Sequence, residues 1–303
     1  MLLDVKLPVY YIFKRILPDI LRVLLISIIF QVLKWFFSSY LPEIPLQLAT
    51  ILGSSISLLL AFNVSQSYER WWEGRKIWGA VVNDSRTLVL QVRSFQQADG
   101  LPPHEAASQL TAVAHRQIAW CYSLGESLRG QDPLASLAKF LPEPELAYAK
   151  TQNNRPLALL ALHAAQFREL HQRQTINTFQ QVQLDSTLVR LCESMGQAER
   201  IKSTVFPANY RLLVHFLIYL FLGTLSLSLV ESMGFWEVPV LLLIASTFFL
   251  IERTARYLQD PFNNAPTDTP VTAIARNVEI NLKQLLQEPN VPATLTSDTF
   301  YLM

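Results

Sequence analysis

One stretch of the chain starts as an apolar helix and becomes an aromatic, basic one with no break between them. From Ile44 to Val64 no side chain is charged. That length matches the roughly 20 residues that cross a ~30 Å hydrocarbon core. From Ser67 the chain reads SYERWWEGRKIWG to Gly79 and continues to Arg93. Neither proline nor a cluster of turn residues interrupts it between Leu46 and Val92, so the pattern predicts one long helix or two stacked ones.

Two stripes mark its apolar half. Gly53, Ser57 and Ala61 recur every four residues, and small residues on one face let another helix come close in lipid. Ser54, Leu58 and Phe62 form a second stripe, rotated by about one residue. In a single subunit that stripe is ordinary packing. Around a symmetry axis the same positions stack as rings of Ser, Leu and Phe, which is how a hydrophobic pore constriction is made.

Three further apolar runs accompany this helix. Residues 1–19 are a short mixed segment, with Pro8 and Pro18 as punctuation, read as a cytosolic lead-in. The first span follows over Ile20–Leu41, with Arg22 and Lys34 as polar exceptions placed to snorkel. It has no A-x-A-like cleavage site and reads as a retained membrane helix. The segment Pro42–Pro45 links it to the second span, so 20–64 is the first hairpin. A second hairpin covers 207–258: Pro207, a span near Tyr210–Val230, a turn at Gly234, and a span from about Phe235 to Leu250.

Lysine and arginine are absent from Trp35 through Glu69 and again from Leu212 through Glu252. They cluster just outside these windows, so both hairpin tips face out and both termini lie in the cytoplasm of a plasma or inner membrane. The tips carry Glu43, Glu231 and Glu237, three candidates for an acidic outer mouth.

The stretch 65–206 is too polar to span. It reads as helices near 67–97, 104–129, 133–150, 156–172 and 175–203, an all-helical cytosolic domain. After the last span, 259–303 holds a turn-rich link, an amphipathic helix over Val271–Gln287 and a tail.

Composition agrees with a multi-pass membrane protein. Half of the 303 residues are hydrophobic and only 16% are charged, against about 25% in soluble domains. A net charge of +1 gives no hint of nucleic acid. Cys121 and Cys192 are too few for a disulfide framework. No glycine-rich phosphate loop, HExxH or CxxC occurs. His163 and His171 lack a carboxylate or thiolate at ligand spacing, so solvated or core histidines are favoured and no metal or cofactor is expected. His215 in the third span fits either a packed side chain or a proton relay. The spans contain no carboxylate of the kind that coupled transporters place at the bilayer midplane. A passive pore or an anchor is favoured over a pump, and no nucleophile–base pair suggests an enzyme.

Arg70, Trp71, Trp72, Glu73, Arg75 and Trp78 form an interfacial motif dense in indole and guanidinium, suited to the membrane–water boundary. With the sequences LLLAF over 58–62, SYERWWEGRKIWG over 67–79, NDSR over 83–86, GFWEVP over 234–239 and Asp260-Pro261-Phe262, the chain resembles the bestrophin family of ion channels, in its bacterial and plant-organelle branch. The resemblance covers both ends of the chain and is weak over about 100–200.

It implies an all-α membrane protein: a homopentamer around one central pore, with four transmembrane helices per subunit and a helical cytosolic vestibule. The pore neck then falls on Ser54, Leu58 and Phe62, and a cytosolic aperture near Ile176 or Phe179. The implied function is passive conduction of chloride or other small anions across the lipid bilayer. A monovalent-cation channel of the same architecture and a non-conducting scaffold are the alternatives. Two departures stand out. Many relatives continue Arg-Thr-Asn after the neck, where this chain has Asn63-Val64-Ser65. The calcium-binding acidic run of animal channels is here Asn263-Asn-Ala-Pro-Thr-Asp268, a poor clasp for an ion that takes six to eight oxygens, so tight calcium gating is not expected.

Overall fold

The computed structural model describes residues 9–37, 44–95, 102–204, 208–297 and 299–301. Ten α-helices occur among the described residues, with no β-strand. They divide into two compact units.

One unit holds residues 9–70 and 208–259. Its helices are α1 (Val9–Phe37), the first part of α2 (Leu46–Phe95), α8 (Ala208–Met233) and α9 (Glu237–Leu258). All four are long and apolar enough to cross a membrane. α1 begins well before the predicted span and runs through Pro18. The pyrrolidine removes one backbone donor, yet the side chains on either side of it, Ile16 and Asp19, are buried and hold the turn in place. Between α8 and α9 a single 3-10 turn, Gly234–Trp236, reverses the chain. Gly234 takes φ +55° there, a left-handed conformation that costs glycine nothing.

The core of this unit is a seam of Ile16, Val23, Ala49, Ile56, Leu60, Val214, Ile218, Leu222, Leu241, Ala245 and Phe249. On α2 the buried positions are Ala49, Ile56, Leu60, Asn63 and Ser67, which fall on one helical face.

The other unit holds residues 71–204 and 260–301. α2 continues through it to Phe95, followed by α3 (Pro103–Leu128), α4 (Leu134–Leu137), α5 (Glu143–Lys150), α6 (Arg155–Gln172), α7 (Thr178–Ser203) and α10 (Val271–Leu285). α3 is its central strut, packed against α10, α6 and α7. Trp120, Cys121, Ala119 and Ile118 on it are fully buried. Local signals set the helix starts. Asn154 accepts the Leu157 N–H at the head of α6, and Asn177 with Gln180 closes a reciprocal capping box on α7, a device worth about 1 kcal/mol. His163 is buried beside Arg116, and burial together with that guanidinium holds its imidazole well below the ordinary value. It is a neutral core histidine.

Candidate ion pathway

The stripe singled out on α2 belongs to the broad face left uncovered, which also includes Ile51, Ser55, Ser57 and Ala61. Leu58 and Phe62 are 60% and 57% exposed, while Ile56 and Leu60 beside them are 2% and 1% exposed. Ser54 is exposed too, and its hydroxyl donates to the Thr50 carbonyl one turn back, 2.8 Å away. The hydroxyls of Ser55 and Ser57 do likewise to Ile51 and Gly53. With their protons spent on the helix, these side chains offer only lone pairs and methylenes outward. The small-residue stripe splits: Gly53 packs on Phe221 of α8, whereas Ser57 and Ala61 stay exposed.

The two aperture candidates also separate. Ile176 is 3% exposed and belongs to the core of the helical unit, because the turn before α7 folds it inward under the capping box. Phe179, in the first turn of α7, is 84% exposed.

The acidic outer mouth needs a larger correction. Glu43 and the side chain of Glu231 lie outside the described residues. Glu237 is fully buried. Its carboxylate accepts from Ser27 Oγ at 3.0 Å, Ser226 Oγ at 2.6 Å and Gln31 Nε2 at 2.9 Å. It also sits in the first turn of α9, where the helix N-terminus favours negative charge. Glu237 therefore pins α1, α8 and α9 together and does not face an opening.

Several side chains of the aromatic, basic run pack within the helical unit. Trp78 is fully buried in the helical unit, with its ring against Gly125. Trp71 donates from Nε1 to the Thr267 carbonyl at 2.9 Å, and Gly74 lies against Pro261 and Phe262. Glu73 pairs with Arg200 of α7 at 3.3 Å. Arg70 and Arg75 are half-buried, and Trp72 is the indole left open, at 46%. Trp71 and Gly74 thus seat the segment 260–269, and Glu73 ties the run to α7.

In that segment Lys202 Nζ reaches Asp260 Oδ2 at 3.1 Å and the Phe262 carbonyl at 3.3 Å. Asp268 is 1% exposed, and neither carboxylate oxygen has a hydrogen-bond partner of ordinary geometry. Burial pushes its carboxyl up to about 6, with the charge of Asp260 adding to the effect. Among the described residues no three His, Cys, Asp or Glu side chains come together as metal ligands.

Buried carboxylates do occur in the apolar unit, at the margins of its apolar runs. Besides Glu237, Asp19 and Glu252 are 0% and 3% exposed. Asp19 accepts from Arg22 at 2.8 Å and Arg253 at 2.7 Å, so Arg22 is an ion-pair partner as well as an edge residue. These groups were missed because each lies at the margin of an apolar run. Only packing reveals that Asp19 and Glu252 meet beside His215, whereas Glu237 is held apart from them by Ser27, Gln31 and Ser226.

The family model described as bacterial and fungal bestrophin protein matches residues 9–284. A voltage-dependent anion channel-forming protein of a Nostoc species is 29% identical over 286 residues, covering 92% of this chain and 89% of the relative. A protein of the same description from Ralstonia nicotianae is 28% identical, covering 95% and 94%. The crystal structure of a bacterial bestrophin homologue from Klebsiella pneumoniae superposes with a TM-score of 0.83 at 28% identity, over 91% of this chain and all of that one. With four membrane-length helices, an all-helical architecture and a match over nearly the whole sequence, the chain belongs to the bacterial and fungal bestrophin family.

Proposed function

We propose that this chain is one subunit of a homopentameric channel that passes chloride and similar small anions down their gradient. The observation that carries the reading is the uncovered apolar face of α2, with Leu58 and Phe62 more than half exposed beside a fully buried face. Rings of these side chains around a shared axis make a hydrophobic neck that conducts while wet and closes by dewetting. Phe62 edges are electropositive and favour anions modestly. Phe179, also projecting, is the better candidate for the second constriction. The positive-inside pattern supports a cytoplasmic location for both termini.

The anion reading gains from the burial of Glu237, since a carboxylate locked by three donors does not concentrate cations at an entrance. Relatives described as anion channel-forming proteins support it further. A monovalent-cation channel keeps one observation in its favour: the Ser54 hydroxyl spends its proton on Thr50 and turns only acceptors outward. Recording the reversal potential of the reconstituted protein under a KCl gradient decides between them. A reversal near the chloride equilibrium potential is expected, and one near that of potassium overturns the anion reading. A non-conducting scaffold would show no current at all.

A further inference from the structure

The apolar unit holds one ionisable cluster for which conduction has no evident use. His215 lies on α8 with its ring 5.6 Å from those of Tyr219 and Phe249. Its Nε2 is 3.7 Å from Oδ1 of Asp19 on α1, and its Nδ1 is 3.7 Å from Oε1 of Glu252 on α9. A neutral imidazole has one N–H and one lone pair. It can turn its N–H to one carboxylate only and must set the lone pair against the other. An imidazolium carries N–H on both nitrogens and serves both.

We propose that His215 is a proton-binding site, and that the bound proton cross-links α1, α8 and α9 through Asp19 and Glu252. The surroundings bear on this from every side. From α1, Arg22 reaches Asp19 at 2.8 Å. From α9, Arg253 reaches Asp19 at 2.7 Å and Arg256 reaches Glu252 at 2.6 Å. From α8, the Tyr219 hydroxyl donates to Asp19 at 3.2 Å, and α2 contributes the neutral Asn63. Three guanidiniums oppose a further positive charge. Favouring it are two carboxylates in direct ion-pair range and two buried atoms with no hydrogen-bond partner, His215 Nδ1 and Glu252 Oε2.

Glu252 also borders a cavity of about 10 Å³ with Asn63, Tyr210, Arg211, Arg256 and Gln259. That is room for about one water, which gives a proton a route to the carboxylate and on to the imidazole. The transfer moves a proton from water to a ring nitrogen and leaves the cluster one charge more positive. Histidine is the side chain whose charge changes between pH 5 and 8.

The test compares the whole protein with His215→Gln in lipid nanodiscs by thermal unfolding at pH 6 and pH 8. The wild type should melt about 2–4 °C above the variant at pH 6, and the gap should close at pH 8. Histidine-selective ¹³C NMR of the wild type supplies a second readout. The resonance lost in His215→Gln should change charge state between pH 5 and 8, and Glu252→Gln should move that resonance most. Should His215→Gln not be recovered, the signal displaced by Glu252→Gln identifies the ring. A melting gap equal at both pH values, or a His215 resonance constant from pH 5 to 8, overturns the proposal.

Discussion

Gly53 of α2 meets Phe221 of α8 so closely that a Cβ at position 53 would lie 2.9 Å from Cε2 of the ring. Phe221 has little room to yield, being 6% exposed and 5.1 Å from the Phe248 ring. Alanine is the better helix former by about 1 kcal/mol, but overpacking costs ~1–3 kcal/mol, so the clash prevails. Gly53→Ala should lower the melting temperature, and Phe221→Leu in the same chain should restore part of it. Gly79, further along α2, has nothing within 4 Å of a built Cβ. There Gly→Ala should stabilise by up to ~1 kcal/mol. Thermal unfolding of the three variants beside the wild type checks both signs.

Glu237 bears on selectivity by its absence from any mouth. Glu237→Ala leaves Ser27, Gln31 and Ser226 without their shared acceptor, at roughly 1–3 kcal/mol for each orphaned buried group. A fall of several degrees in melting temperature is expected. Glu237→Gln, which keeps the shape, should leave the reversal potential unchanged. A shift in reversal potential at full stability would put the carboxylate back at an entrance.

Asp268 should make stability fall as pH rises through the mildly acidic range. Its carboxyl sits near 6 in the folded protein, against an ordinary 3.8. Between these values the folded state holds a proton that the unfolded chain has lost, so stability declines from about pH 4 to about pH 6 and stays lower above it. Two units correspond to at most about 3 kcal/mol. Asp268→Asn should therefore stabilise the protein at pH 7.5 and change little at pH 4. Denaturant titrations at the two pH values measure the difference.

Much of the architecture was legible because it rests on local properties. Long apolar runs predicted the four membrane-length helices, and the lack of proline after Leu46 predicted one long helix or two stacked ones, of which the structure has the single helix Leu46–Phe95. What escaped depends on distant convergence. Ser27 and Glu237 are 210 positions apart, and no spacing rule links Gln31 to Gly234. Glu237 reads as an exposed tip residue until the 3-10 turn is seen to fold it inward. Ile176 and Phe179 are three residues apart around the start of α7, and only the folded chain shows which one points into the core. Trp78 shares its composition with Trp72. Burial alone distinguishes a core indole from an open one.

The claim on which the functional reading turns is that Leu58 and Phe62 face water in an ion path and not lipid. Cysteine accessibility measures this directly, after exposed Cys192 is replaced by serine. In reconstituted channels carrying Leu58→Cys or Phe62→Cys, a charged, water-soluble thiol reagent should alter the current irreversibly, while Ile56→Cys, buried in the native core, should be unaffected. Current untouched by that reagent in both variants, with labelling only by a membrane-dissolved maleimide, would contradict the account.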